Sequence, residues 1–358
     1  MSKLLKSSAI LGILLILQSC AIIPQNKYLK EQIARPASIN EYYNYNKEKP
    51  YNSAKESLVI DKKYYEHKLL EMETDYGKVD IDFYKLKEPS EDLIFIFPIL
   101  GGKSIIEGYF AKYFAEHGYN TAIVHRDKDF KKPEMFDQLE NVFKRNVIRD
   151  RIAIDYFEKE HGVKNFGSFG ISRGAINASI TAGVDPRLKY NIFALGGSNL
   201  VGVFKNSDVR GVKKYREKVE KYKKITSQEF YNYLESEIFT EPKNFTKYIN
   251  PDNTMLFLSL FDKAVPLKYG LKFRRELKLP KTVFLASGHY TSILYTQYLK
   301  LLPPLDDFCL FPLDFIETVS LDFYDEKFKN KTINYKYIPY MLIQAPVNVV
   351  SRVFWYLF

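Results

Sequence analysis

The chain has 358 residues, with 53 Lys and Arg against 43 Asp and Glu, two cysteines and a net charge of +10. A hydrophobic share of 46% beside 27% charged residues can bury a sizeable core and excludes general disorder. Two cysteines exclude a disulfide framework and a four-thiolate zinc site, and the 28 Tyr and 27 Phe lack the glycine-flanked stacking motifs of RNA binders, so nucleic acid is not the expected partner.

Lys3 and Lys6 precede an apolar run from Ala9 to Leu17, which is too short to span a bilayer but suits the core of a secretory signal. The run ends in Leu17-Gln18-Ser19-Cys20, which resembles the lipobox of bacterial lipoproteins. This resemblance implies a signal peptide over residues 1–19 and a diacylglyceryl group on Cys20. Such a group attaches a protein to the membrane without spanning it. Ala21 is not the Asp that retains such proteins at the inner membrane in some double-membrane bacteria, so the outer membrane of a bacterial envelope is the expected location. The alternative is an ordinary signal peptide with a chance cysteine. Residues 20–57 are polar and rich in Asn, Tyr and Lys without a sustained period, which predicts a tether.

The folded domain is expected over 58–303. Val79 to Tyr84 alternates apolar and polar residues, as a half-buried antiparallel strand does. Leu93-Ile94-Phe95-Ile96-Phe97 is a continuous apolar run, as in a strand buried on both faces. A helix from Ser104 to His117, a strand from Thr121 to Val124 and a long helix from Gln138 to His161 follow, and Gly118 and Gly162 close the two helices. Strands at Val163 to Phe169, Asn191 to Leu195, Met255 to Leu260 and Thr282 to Ala286 continue the alternation, with helices after Ser172 and near Tyr269 to Leu277. This order predicts crossover connections and a parallel sheet. Residues 204–250 break it and read as two or three charged helices. Residues 304–358 lose the pattern and end in an apolar, aromatic extension.

Phe169-Gly170-Ile171-Ser172-Arg173-Gly174-Ala175 leaves a strand and opens a helix, the context of a nucleophile elbow. The turn lifts the serine hydroxyl clear of the sheet, and the helix N-terminus favours negative charge developing there. Serine needs a general base. Among five histidines, His117 and His161 each precede a glycine at a helix end, His67 lies in the early strand region and His125 precedes the serine. His289, in Ser287-Gly288-His289-Tyr290 just past a strand, is the one histidine after Ser172. Asp262, in Phe261-Asp262-Lys263-Ala264-Val265-Pro266, can orient the imidazole, or else cap the next helix.

In the order Ser172, Asp262, His289, the chain resembles an α/β-hydrolase from about residue 60 to 300. The resemblance implies an eight-stranded, mostly parallel sheet with helices on both faces, a helical cap formed by about 204–250, and acyl transfer through an acyl-serine. It also implies an oxyanion hole using the backbone N–H of Arg173 and one from Pro98-Ile99-Leu100-Gly101-Gly102, where Leu100 occupies the donor position. In that turn the His and first Gly of the family's His-Gly-x-Gly-Gly are replaced.

Gly101-Gly102-Lys103-Ser104 also has the ending of a phosphate-binding loop, but Phe97 stands where that loop needs glycine and Pro98 lacks an N–H. No His-x-x-x-His, clustered Cys/His or calcium-loop pattern points to a metal, and no cofactor is expected. Nine basic and three acidic residues lie between Lys205 and Lys224, either a solvated helix face or a surface for anionic lipid or glycan. The function expected is a membrane-anchored serine hydrolase, esterase- or lipase-like, acting on an acyl ester. A non-catalytic envelope binding protein on the same fold and an acyltransferase with the same triad are the alternatives.

Overall fold

Leu93, Phe95 and Phe97 pack into one apolar layer and Ile94 and Ile96 into another, and all five are buried. An uninterrupted apolar run is what a strand with helices on both faces requires. In the computed structural model, residues 21–23, 33–99, 105–296, 315–333 and 335 are described. Their strands are β1 (Ala21–Ile23), β2 (Ser53–Asp61), β3 (Tyr65–Thr74), β4 (Gly77–Leu86), β5 (Asp92–Phe97), β6 (Asn120–Val124), β7 (Asn165–Ile171), β8 (Leu188–Ala194), β9 (Thr254–Ser259) and β10 (Lys281–Leu285). They form one sheet in the order β1-β10-β9-β8-β7-β5-β6-β4-β3-β2. The six strands from β5 to β10 are mutually parallel, while β2, β3 and β4 join antiparallel at one edge and β1 at the other.

The crossover helices are α2 (Ile105–Glu116), α3 (Leu139–His161), α4 (Arg173–Val184) and α9 (Leu267–Glu276). Apolar residues of α3, α4 and α9 fill the layer that holds Phe95, and those of α2 fill the layer that holds Ile94. Gly162 ends α3 in the left-handed conformation at φ 65, as its place after His161 predicts. Between β8 and β9 the chain forms α5 (Leu200–Asn206), α6 (Arg210–Lys223), α7 (Ser227–Glu237) and the short α8 (Pro242–Phe245).

The mixed α/β architecture with a mostly parallel sheet is present, and it carries more than eight strands. The edge strand β2 has almost wholly exposed side chains, so no alternation marks it in the sequence.

Two corrections concern the ends. The stretch read as a tether is not free of the domain. Ala21–Ile23 pairs with β10, α1 (Ala37–Tyr42) follows, and Ile39, Tyr43 and Tyr45 are buried. Tyr42, Tyr45 and Tyr51 donate to Glu140, Asp155 and Glu160 along α3 at 2.7, 2.6 and 2.7 Å. These irregularly spaced contacts leave no period to read. The extension after 303 contains α10 (Phe315–Phe328), whose Phe315, Ile316, Val319, Phe323 and Tyr324 join the α2 layer, and Tyr324 Oη donates to the Ser168 carbonyl at 2.8 Å. The signal peptide, Cys20, Leu100, the Gly101–Ser104 stretch, Cys309 and the tail from 341 lie outside the described residues. Among the described residues no helix is long and apolar enough to cross a membrane.

Candidate active site

Ser172 is the single residue between β7 and α4, and its backbone is held at φ 57, ψ −120. A non-glycine residue there is strained, and the surrounding structure must impose it. Its N–H donates to the Ala194 carbonyl of β8 at 2.8 Å, and its carbonyl accepts from Ala175 at 3.0 Å. The flanking glycines are required by space. A Cβ on Gly170 would fall within 3.0 Å of the Gly174 backbone, closer than real Cβ contacts. The elbow therefore closes only with hydrogen at that position.

His289 lies in the loop after β10, with Nε2 2.8 Å from Ser172 Oγ and Nδ1 2.7 Å from Asp262 Oδ2. The carboxylate sets the tautomer. Nδ1–H donates to Asp262, which leaves Nε2 to accept from the serine hydroxyl. Asp262 is 7% exposed, and its Oδ1 accepts from the N–H groups of Ala264 and Val265, each at 2.8 Å. One oxygen of Asp262 organises the turn ahead of α9 and the other faces the imidazole. The helix-capping alternative does not hold, because the N-cap of α9 is Pro266 and no side chain caps it.

Three serines that sequence reasoning missed lock the two loops together. Ser259 ends β9, and its Oγ is 3.0 Å from Ser287 Oγ and 2.7 Å from Ser292 Oγ. Ser287 and Ser292 are 2.8 Å apart, and all three are buried. Ser292 Oγ is also 2.8 Å from the Gly288 carbonyl, next to His289. Serine is too common for its spacing alone to signal such a cluster.

The Arg173 N–H opens α4 beside Ser172. Of the turn expected to provide a second donor, Ile99 is described, and its N–H donates to buried Glu107 of α2 at 2.6 Å. The donor assigned to Leu100, like the rival phosphate loop, falls outside the described residues. The remaining histidines stay with other partners. His117 Nδ1 is 2.7 Å from the Tyr113 carbonyl, a helix-end role as expected. His161 Nε2 is 2.5 Å from Glu56. His67 and His125 face the two oxygens of Asp82 at 2.8 and 2.7 Å. Among the described residues no group of three or more His, Cys, Asp or Glu is placed to hold a metal ion.

Ser172 and His289 open into a cavity of about 440 Å³ with a largely apolar wall that includes Ile99, Ile106, Phe110, Phe257 and Leu285. Val209, the residue before α6, lines it too, so the insertion between β8 and β9 reaches the site. Chemically, an activated hydroxyl beside an apolar cavity and a helix N-terminus can attack an acyl carbonyl and hold the oxyanion that forms.

No protein-family model matches the chain, and no curated protein matches it. Solved structures do. Acetyl xylan esterase 1 from Thermoanaerobacterium sp. JW/SL YS485 superposes with a TM-score of 0.56 at 13% identity, covering 84% of this chain and 100% of that one. The acetyl xylan esterase from Paenibacillus sp. R4 does so at 0.57 and 15%, covering 73% and 92%. An acylaminoacyl peptidase reaches 0.51 at 17%, covering 76% of this chain and 43% of that one. The chain has the α/β-hydrolase fold. Likeness at this identity speaks for the architecture; the chemistry rests on the site.

Proposed function

We propose that this protein is a serine hydrolase that cleaves a carboxylic ester through an acyl-serine intermediate, and that a lipid on Cys20 holds it at the cell envelope. The observation that carries the chemistry is the contact chain Ser172 Oγ to His289 Nε2 to Asp262, at 2.8 and 2.7 Å, set on a strained strand-to-helix turn.

Ser172 Oγ attacks the ester carbonyl while His289 Nε2 takes its proton. Asp262 stabilises the imidazolium, and the Arg173 N–H at the start of α4 receives the developing oxyanion. Collapse breaks the acyl C–O bond, and His289 returns the proton to the leaving alcohol. Water, deprotonated by His289, then attacks the acyl-serine, which releases the acid and restores the hydroxyl. The apolar cavity favours an acyl group of hydrocarbon character. The fold neighbours named as acetyl xylan esterases support an ester substrate.

The envelope assignment rests on Lys3, Lys6, the Ala9 to Leu17 run and Leu17-Gln18-Ser19-Cys20, and Ala21 favours the outer membrane. A fluorophosphonate probe tests the chemistry. Covalent labelling of the wild type and none of Ser172→Ala is expected. An unlabelled wild type that is correctly folded would leave a binding protein on a hydrolase fold.

A further inference from the structure

Arg173 sits immediately after the proposed nucleophile, and its side chain has no acidic partner. The guanidinium lies over the Phe143 ring at 4.6 Å from the centroid and over Phe130 at 5.9 Å. Burial, followed by the nearby charge of Arg126, pushes its pKa down to about 10. It borders a small chamber of about 20 Å³ whose walls include Asn177, Arg126, Asp150 and Thr181. The one carboxylate there is committed. Asp150 Oδ1 accepts from Arg126 at 2.6 Å and Oδ2 from Thr181 at 2.7 Å. Asn177 stands four residues after Arg173 and therefore on the same face of α4. Among the described residues neither the Arg173 nor the Asn177 side chain has a hydrogen-bond or ionic partner.

A half-buried cation without a counter-charge is less well satisfied than a paired one, and the guanidinium remains charged. The chamber has room for one or two water-sized atoms. The two oxygens of a carboxylate fit that room and match the planar fork of Arg, while the Asn177 amide adds a donor. A tetrahedral phosphate is too bulky. The chamber shares Phe130 and Phe143 with an apolar cavity of about 420 Å³ beneath α6, lined also by Leu139, Leu200, Phe204 and Val212.

We propose that Arg173 and Asn177 form a carboxylate-binding site beside the nucleophile. The carboxylate has two sources. It is either a free short acid or the head of an acid whose chain lies in the cavity under α6.

The test is thermal melting of the Ser172→Ala protein, so that the outcome does not depend on turnover. Acetate, octanoate and the neutral octanamide are added at constant ionic strength. A rise of about 4 °C is expected when a carboxylate stands at a hundredfold excess over its dissociation constant. Equal affinity for acetate and octanoate identifies the free acid as the ligand, whereas octanoate at least tenfold tighter places the chain under α6. Either effect should disappear in Arg173→Gln and weaken in Asn177→Ala. Should the former fail to fold, the latter and the comparison of octanoate with octanamide decide. Stabilisation by octanamide equal to that by octanoate, no stabilisation by either acid, or an effect untouched by Asn177→Ala would overturn the proposal.

Discussion

Phe97 and Gly174 meet backbone to backbone: a Cβ on Gly174 would intrude within 3.0 Å of the Phe97 carbonyl oxygen. The end of β5, which leads to the turn expected to supply an oxyanion donor, is thereby set against the first turn of α4, where the Arg173 N–H lies. Gly174→Ala should cost about 3 kcal/mol, because both partners are main chain and neither can rotate away. Urea denaturation measures it. Wild-type stability in this variant would show that the elbow has slack.

Ser172→Ala and His289→Ala should each lower ester turnover by about 10³-fold or more with unchanged circular dichroism. Asp262→Asn should keep the turn, because the amide oxygen can still accept from Ala264 and Val265. It turns an NH₂ towards His289 Nδ1–H, however, and should lose on the order of 10⁴-fold in kcat. Wild-type turnover by His289→Ala would refute the assignment, since the other four histidines are held elsewhere.

Glu56 gives a pH dependence to the junction of β2 and α3. Burial pushes its carboxyl up, but His161 at 2.5 Å, Tyr156 at 3.0 Å and Lys68 at 3.4 Å outweigh this and hold it at about 2. A depressed carboxyl stabilises the fold above its unfolded value of about 4.3 and loses that contribution as pH falls towards 2. Glu56→Gln should therefore flatten the fall in stability across that window, measured by urea midpoints at successive pH values. An unaltered acid limb in the variant would exclude Glu56 as its source.

Cys20→Ala should leave the protein without lipid and move it from the membrane to the soluble fraction on cell lysis. Fractionation with radiolabelled palmitate reads both effects. Full retention in the membrane would transfer the anchoring role to the apolar tail from 341.

The basic insertion should matter on charged surfaces. Lys213 lies 3.5 Å from Asp208, and Lys223 pairs with Asp137, so these two are partly neutralised. Lys214, Lys218, Lys221 and Lys224 have no ion pair among the described residues. Each basic residue beside an anionic membrane contributes up to about 1 kcal/mol, screened within about 10 Å at 0.1 M salt. Replacing these four by Gln should weaken binding to anionic vesicles about tenfold or more and remove its salt dependence. Hydrolysis of a small neutral ester should not change. Undiminished vesicle binding would make α6 a solvated face.

The parts of this molecule that repeat were readable from the residues. The double-faced run at Leu93 to Phe97, the glycine stops at 118 and 162, and the elbow at Ser172 each impose a pattern that local physics makes unambiguous. His289 and Asp262 were found because the chemistry demands an order along the chain. What stayed hidden lacks a period or works through contacts distant in sequence. Tyr42, Tyr45 and Tyr51 reach residues about a hundred positions away, β2 is too exposed to alternate, and Glu107 and the Ser259-Ser287-Ser292 cluster act on backbone groups that no motif describes. The side chain of Arg173 carries no sequence signal, because the elbow requires only its N–H.

The pairing of Ala21 with Phe284 in the sheet carries a consequence for how the chain would meet a membrane if Cys20 is lipidated as proposed. Consecutive Cα atoms lie 3.8 Å apart, so the proposed lipid on Cys20 would emerge a single residue from a strand hydrogen-bonded to β10. Such a protein is moored at a sheet edge rather than leashed at a distance. The β10 side of the sheet would then face the bilayer, and β2, at the far edge, would point into the surrounding fluid. His289 leaves the sheet at the end of β10, so the imidazole would come from the moored side while Ser172, after β7, would stand at the middle of the sheet.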